Sequence, residues 1–384
     1  MDLRIAVLGG DGIGPEVTAE SVKVLDAIGR RYGHEFTYIT GPVGGTAIDM
    51  TGSALPADTM NIVLGSDAVL FGAVGGPKWD NPEIPIRPED GILKLRKNLG
   101  LFANLRPCKI YPQLIDSSPL KPERIQDVDF IIVRELTGGL YFGKPKRKWE
   151  NSRGRRAVDT LAYTEKEIER VVRVAFELAR RRRKVLHSVD KMNVMETSRL
   201  WREVTSELSV EFHDVELHHM LADNAAIQIV TNPSVFDVIV TENMFGDILS
   251  DESAVIGGSM GMLPSASLAS APPTDGKKRR RGGKPALYEP IHGSAPDIAG
   301  RGIANPMASI LSAAMMLRWS FGLQEEADAI EASIDSAISD GYRTVDISSG
   351  GGNVMGTSQI GDMIAGRIRT VSYTHLTLPT SDLV

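Results

Sequence analysis

The chain has 384 residues, a net charge of −6, 42% hydrophobic side chains and a single cysteine, Cys108. That length exceeds what one hydrophobic core usually supports, so two lobes are expected, and the acidic balance argues against nucleic acid as the main partner. A lone cysteine excludes an intrachain disulfide and fits a reducing compartment; with no export signal and no apolar run of the ~20 residues a bilayer needs, the sequence reads as cytoplasmic with no membrane partner.

The first element is an apolar run at 3–8, followed by GGDGIGPEV at 9–17. A dinucleotide fingerprint starting at Gly10 needs a glycine at position 15, where Pro15 stands. Proline suits the first turn of a helix, so the stretch predicts strand, tight turn and helix start, not a Rossmann phosphate loop. Apolar runs at 68–71, 130–133, 185–189 and 236–240 alternate with helical patterns and predict an α/β architecture with largely buried strands. The strongest helix follows Thr164, which with Glu167 forms a capping-box pattern ahead of Ile168, Val171, Val172, Ala175 and Leu178 at helical spacing. The basic run at 180–184 ends it, where cations suit the helix dipole. Proline-rich 105–122 reads as a crossing between lobes and glycine-rich 257–273 as the return. Residues 1–105 and 260–369 then form one lobe and 106–259 the other. The basic stretch 275–284 reads as a solvated loop. Residues 370–384, TVSYTHLTLPTSDLV, break the helical pattern of 359–369 and resemble translated adapter DNA, so they are set aside as non-native.

Several segments carry candidate chemistry. Asp247 and Asp251 in FGDILSDE are four apart and share a helix face, where like charges repel by roughly a few tenths of a kcal/mol. Either Asp247 caps and Asp251 faces water, or the pair holds a cation, for which two hard carboxylates suit Mg²⁺ or Mn²⁺. Asp223 is a third candidate acid. Arg96, Arg106 and Arg134 are singly ordinary surface residues; converging on one cleft, they suit a di- or tricarboxylate through bidentate pairing. Lys191, just past a predicted strand, is a candidate base, and Tyr141, after a double glycine, a candidate proton donor. The polar stretch 289–306 is either a surface loop or an adenosine site using His292, Asp297 and Asn305, in which Asp297 accepts from ribose hydroxyls and repels a 2′-phosphate. His213, His218 and His219 lack a matching ligand set and read as surface or packing residues.

Together and in this order, GDGIGPEV, GGPKWD, RPEDGILKLRKNLGLFANLRP, RELTGGLYFG, VDKMNV, FGDILSDE, GMLPSAS and HGSAPDIAGRGIANP resemble the β-decarboxylating dehydrogenases, which include isocitrate and tartrate dehydrogenases. The likeness is greatest to their 3-isopropylmalate branch and covers nearly all of residues 1–369. It implies a two-lobed α/β fold with a mixed sheet, distinct from a Rossmann fold, and a homodimer whose sites are shared between subunits. It implies that Arg96, Arg106 and Arg134 bind the substrate carboxylates, that Asp223 joins them, and that Glu89, Ile92 and Leu93 lie near the substrate's alkyl group. Tyr141 and Lys191 are the implied catalytic pair. Asp247 and Asp251, with Asp223 of the other subunit, are the implied metal ligands. NAD is implied to lie against Glu289, His292, Gly293, Ser294, Ala295, Pro296, Asp297, Ile298 and Asn305. The implied activity is NAD- and Mg²⁺- or Mn²⁺-dependent oxidative decarboxylation of the dicarboxylate 3-isopropylmalate in leucine biosynthesis. Rival readings are a tartrate, malate or homoisocitrate dehydrogenase of the same fold, or a metal-dependent lyase or hydrolase acting on an acidic substrate. Met192, where the family has alanine, and the long basic loop depart from the pattern.

Overall fold

In the first strand, Leu3, Ile5 and Val7 join one hydrophobic cluster while Ala6 and Leu8 join another. This alternation recurs in later strands: Ile131 and Val133 face the first cluster, Phe130 and Ile132 a third. Side chains that alternate between two buried faces require helices on both sides of one sheet, and that three-layer arrangement is what the computed structural model contains. It describes residues 1–81, 83–272, 283–348 and 350–370. Residues 275–282 of the basic stretch expected as a loop, and all but the first residue of the suspected tail, lie outside the described residues.

Among the described residues the strands are β1 (Asp2–Gly10), β2 (Glu35–Thr40), β3 (Ala68–Ala73), β4 (Ala103–Lys109), β5 (Asp129–Glu135), β6 (Arg147–Asn151), β7 (Gly154–Val158), β8 (Val185–Asp190), β9 (Glu216–Leu221), β10 (Val238–Thr241), β11 (Pro264–Leu268), β12 (Ala286–Pro290) and the short parallel pair β13 (Tyr342–Arg343) and β14 (Asn353–Val354). Ten form one mixed sheet in the order β2-β1-β3-β12-β11-β4-β5-β10-β8-β9, and β6 and β7 pair as a separate exposed hairpin. Pairing is parallel within β2-β1-β3-β12 and within β5-β10-β8-β9. Three antiparallel pairings join the two blocks, so the blocks run in opposite directions.

One face is covered by helices Gly14–Tyr32, Glu165–Arg180, Glu196–Ser209, Met307–Met316 and Gln324–Ser339, the other by Glu89–Leu99, Ala222–Thr231 and Asn243–Ile256. The Thr164 capping box forms as expected, its hydroxyl and the Glu167 carboxylate exchanging bonds with each other's backbone. The cations after this helix do more than face its dipole: Arg180 pairs with Asp214, and Arg182 with Asp129 and Asp237.

The stretches expected as crossing and return contain strands at the centre of the sheet. Pro107 in β4 is tolerated because β11 pairs with β4 only at Ala103, Asn104 and Leu105, leaving no ladder bond for the missing N–H to break. Among the described residues, no helix is long and apolar enough to cross a membrane.

Candidate active site

Arg106 on β4, Arg134 at the end of β5 and Arg96 on helix Glu89–Leu99 are brought together, the convergence that their residue types left open. Arg106 donates from Nη1 to Ser250 Oγ at 2.6 Å and to Asp251 Oδ1 at 3.3 Å, with its Nη2 3.8 Å from Asp247 Oδ1. Arg134 donates to Asp247 and, through Nη2, to Asn243 Oδ1 at 2.8 Å. Arg96 donates to Glu289 Oε1 at 2.9 Å, joining the helix to β12. Burial, followed by the neighbouring charge of Arg106, pushes the Arg134 guanidinium down to about 10. Burial also lowers Arg106, with Arg96 adding to the effect. Arg106 and Arg134 are desolvated cations crowded by like charge and held by Asp247, Asp251 and Glu289, so an entering anion finds converging guanidinium groups.

Helix Asn243–Ile256 supplies the acids. Glu242 caps it by accepting from the Phe245 N–H at 2.8 Å, and Asn243, Asp247 and Asp251 follow on one face at intervals of four. A Cβ on Gly246 would stand 2.6 Å from Arg134 Cγ, so glycine is what allows the arginine to lie across this helix.

Tyr141 belongs to the turn Gly139–Tyr141. The buried Glu135 carboxylate holds the approach to that turn, accepting from the backbone N–H groups of Thr137 and Gly138 at 2.8 Å each. The Tyr141 hydroxyl donates to Asp247 Oδ2 at 2.9 Å; burial and that carboxylate push it up to about 12.

Lys191 and Asp223 follow β8 and β9, at the same end of the parallel block as Arg134. Lys191 Nζ donates to Asp223 Oδ1 at 2.6 Å, which holds the Asp223 carboxyl below its ordinary range. Asp223 therefore does not join Asp247 and Asp251 within one chain. Among the described residues no three His, Cys, Asp or Glu side chains are grouped to hold a metal. Asp247 and Asp251 remain two hard carboxylates one turn apart, a donor pair that fits Mg²⁺ or Mn²⁺.

The segment expected to hold NAD lies against the opening loop. The Ser294 carbonyl accepts the Ile13 N–H at 2.8 Å, and Ala295 and Ile298 pack against Ile13 and Val17. Asp297 is exposed. The His292 Nε2 is buried without a hydrogen-bond partner among the described residues, and burial lowers the ring's pKa. A buried acceptor or donor with nothing to bond fits a hydrogen-bonding ligand such as adenine. Asn305 is committed locally, donating to Asp346 Oδ2 at 3.1 Å and accepting from the Met307 N–H at 3.0 Å. Of the residues expected near an alkyl group, Ile92 and Leu93 lie four and three positions before Arg96 and Glu89 one turn further back; Ile92 is 8% exposed and built into the core with Val43 and Leu95, while Leu93 is half-buried. The histidines pack as expected: the His218 ring stacks on buried His187 at 5.0 Å, and His219 meets Ser206 Oγ at 3.0 Å.

Sequence reasoning missed Asn243, Ser250 and Asp11. Asn243 was detectable, lying four residues before Asp247 on its helix face. Asp11 carried no such signal; its carboxylate accepts from the N–H groups of Gly45, Thr46 and Gly75, gathering three loops beside the cofactor segment.

Comparison with known proteins agrees with this geometry. The isocitrate/isopropylmalate dehydrogenase family matches over residues 4–364. The 3-isopropylmalate dehydrogenase of Geobacillus kaustophilus is 56% identical over 93% of this chain and 93% of its own. That of Dehalococcoides mccartyi is 53% identical over 95% of this chain and 99% of its own. The crystal structure of isocitrate dehydrogenase from Methylococcus capsulatus superposes with a TM-score of 0.82 at 33% identity, covering 96% of this chain and 99% of that one. The chain belongs to the isocitrate/isopropylmalate dehydrogenase family.

Proposed function

We propose that this chain oxidises and decarboxylates (2R,3S)-3-isopropylmalate to 2-oxo-4-methylpentanoate and CO₂, with NAD⁺ as oxidant and Mg²⁺ or Mn²⁺ as metal, in leucine biosynthesis in the cytoplasm. The observation that carries this reading is the convergence of Arg96, Arg106 and Arg134, close enough for their charges to act on one another, which suits a substrate with two carboxylates. Leu93, one turn from Arg96, is an apolar neighbour suited to an isopropyl group; the metal would rest on Asp247 and Asp251, and the adenosine against His292 and Asp297.

When bound, NAD⁺ would supply the hydride acceptor for oxidation at C2 and the divalent ion, on Asp247 and Asp251, would supply Lewis acidity. The chain's own residues then handle charge and protons. The arginines hold the two carboxylates. Lys191 takes the C2 hydroxyl proton, directly or through water. After the β-carboxylate leaves as CO₂, Tyr141, a phenol that burial and Asp247 hold still further from ionising, gives a proton to the enol carbon.

In one chain Lys191 bonds Asp223 and meets neither Tyr141 nor Asp247. We therefore assign the functional form as a homodimer in which Lys191 and Asp223 of one copy complete the arginine cluster of the other. Helices Ala222–Thr231 and Asn243–Ile256 expose Ile227, Val230, Ile248 and Val255, an apolar surface suited to a second copy. Residues 1–105 with 260–369, and residues 106–259, are proposed as the two lobes.

The test is incubation of purified protein with NAD⁺, Mg²⁺ and a panel of 2-hydroxy acids, following NADH and CO₂. Turnover of 3-isopropylmalate ahead of tartrate, malate, isocitrate and homoisocitrate is expected. Absence of NADH with 3-isopropylmalate alongside turnover of another acid overturns the substrate assignment.

A further inference from the structure

Arg106 and Cys108 send their side chains to helix Asn243–Ile256, where they meet Ser250 and the Ser253 carbonyl. Strand alternation therefore turns Pro107 and Lys109 to the opposite face of the sheet. There they line a cavity of about 470 Å³, within the range of small-molecule sites. One wall is the end of helix Glu165–Arg180; the other is formed by helices Met307–Met316 and Gln324–Ser339.

Leu311, Met315 and Trp319 give the cavity an apolar wall. Two of its rim arginines are already neutralised, Arg182 by Asp129 and Asp237 and Arg318 by Asp328 and Glu331. Three polar groups are not. The Lys109 ammonium, the Tyr111 hydroxyl and the Asp335 carboxylate line the same space and make no hydrogen bond or ion pair among the described residues. Lys109 lies 5.6 Å from the centre of the Tyr111 ring, and its charge acts on Asp335 against the upward push of burial. Opposite charges thus face one cavity without closing on each other. A ligand carrying one charge would leave the other group unmatched, whereas one carrying both satisfies the pair.

We propose that this cavity binds a zwitterion with an apolar body, of the class of the large apolar α-amino acids. Its carboxylate is taken by Lys109 and Tyr111, its ammonium by Asp335, and its side chain lies on Leu311, Met315 and Trp319. The site is separate from the arginine cluster, behind the sheet from it, and wedges between two groups of helices.

Calorimetric titration of the intact protein tests this, with L-phenylalanine and L-leucine as probes and 3-phenylpropionate and phenethylamine as single-charge comparators. Saturable binding of an amino acid is expected, at least tenfold tighter than either comparator and unchanged by saturating 3-isopropylmalate. Lys109→Ala and Asp335→Asn are each expected to weaken it at least tenfold with turnover of 3-isopropylmalate retained. No saturable binding, equal binding of the comparators, competition by 3-isopropylmalate, or wild-type binding in both variants each overturns the proposal.

Discussion

Gly12 and Ser294 meet backbone to backbone: the Ser294 carbonyl accepts the N–H of Ile13 and occupies the place a Cβ on Gly12 would need. Gly12 also has a φ of +58°, in the left-handed region that favours glycine. Gly12→Ala should cost at least about 1–2 kcal/mol from the backbone alone, before the collision is counted. Because the displaced partner belongs to the cofactor segment, the Michaelis constant for NAD⁺ should rise several-fold more than that for 3-isopropylmalate. An equal effect on both, with unaltered thermal stability, would contradict this account.

Tyr141 is exposed and, among the described residues, its hydroxyl bonds only Asp247, so its removal should leave the fold intact. Loss of a positioned proton donor lowers turnover by roughly 10²–10⁴. Tyr141→Phe should show that loss mainly in kcat, with an unchanged melting curve. Retention of full turnover would remove Tyr141 from the chemistry.

Sharing of residues between copies predicts complementation. Lys191→Ala and Asp247→Asn each disable every site in their own homodimers. Unfolded together and refolded in equal amounts, they should recover about a quarter of wild-type activity, because half the dimers are mixed and each mixed dimer has one intact site. If the mixture stays as inactive as its parents, the catalytic lysine is supplied in cis.

His187 is 3% exposed, and burial, with a smaller contribution from His218, pushes its pKa from 6.5 down to about 4. The fold therefore holds it neutral, while the unfolded chain takes up the proton. Its contribution is complete above about pH 6.5 and is lost as the pH falls toward 4, amounting to up to about 3 kcal/mol. His187→Leu should flatten the fall in melting temperature between pH 6.5 and 4.5 relative to wild type. Parallel curves for the two proteins would show that His187 is not the acid-sensitive group.

Much of the architecture was legible in the linear chain because its signals are local. Apolar runs marked β1, β3, β5, β8 and β10, the Thr164 capping box marked its helix, and Pro15 excluded the Rossmann loop. The segments around Arg96, Arg106, Arg134, Tyr141, Lys191 and Asp247 named the residue types of the site. β4 and β11 were not legible: PSASL and a strand containing Pro107 lack a strand's usual composition, and both are strands because neighbours distant in the chain flank them.

The pairings within the site were likewise beyond the sequence. Arg96 reaches Glu289 across 193 positions, and Arg134 lies over Gly246 and bonds Asn243 from a different strand. Ile92 and Leu93 adjoin in the chain, yet Ile92 is packed into the core with Val43 and Leu95 while Leu93 stays half-buried. Residue type and short-range spacing, which the sequence carries, determine what chemistry is available and which helices and strands form. Which guanidinium meets which carboxylate, and which loop closes on Gly12, depends on long-range packing of the whole sheet, and the tertiary structure alone decided it.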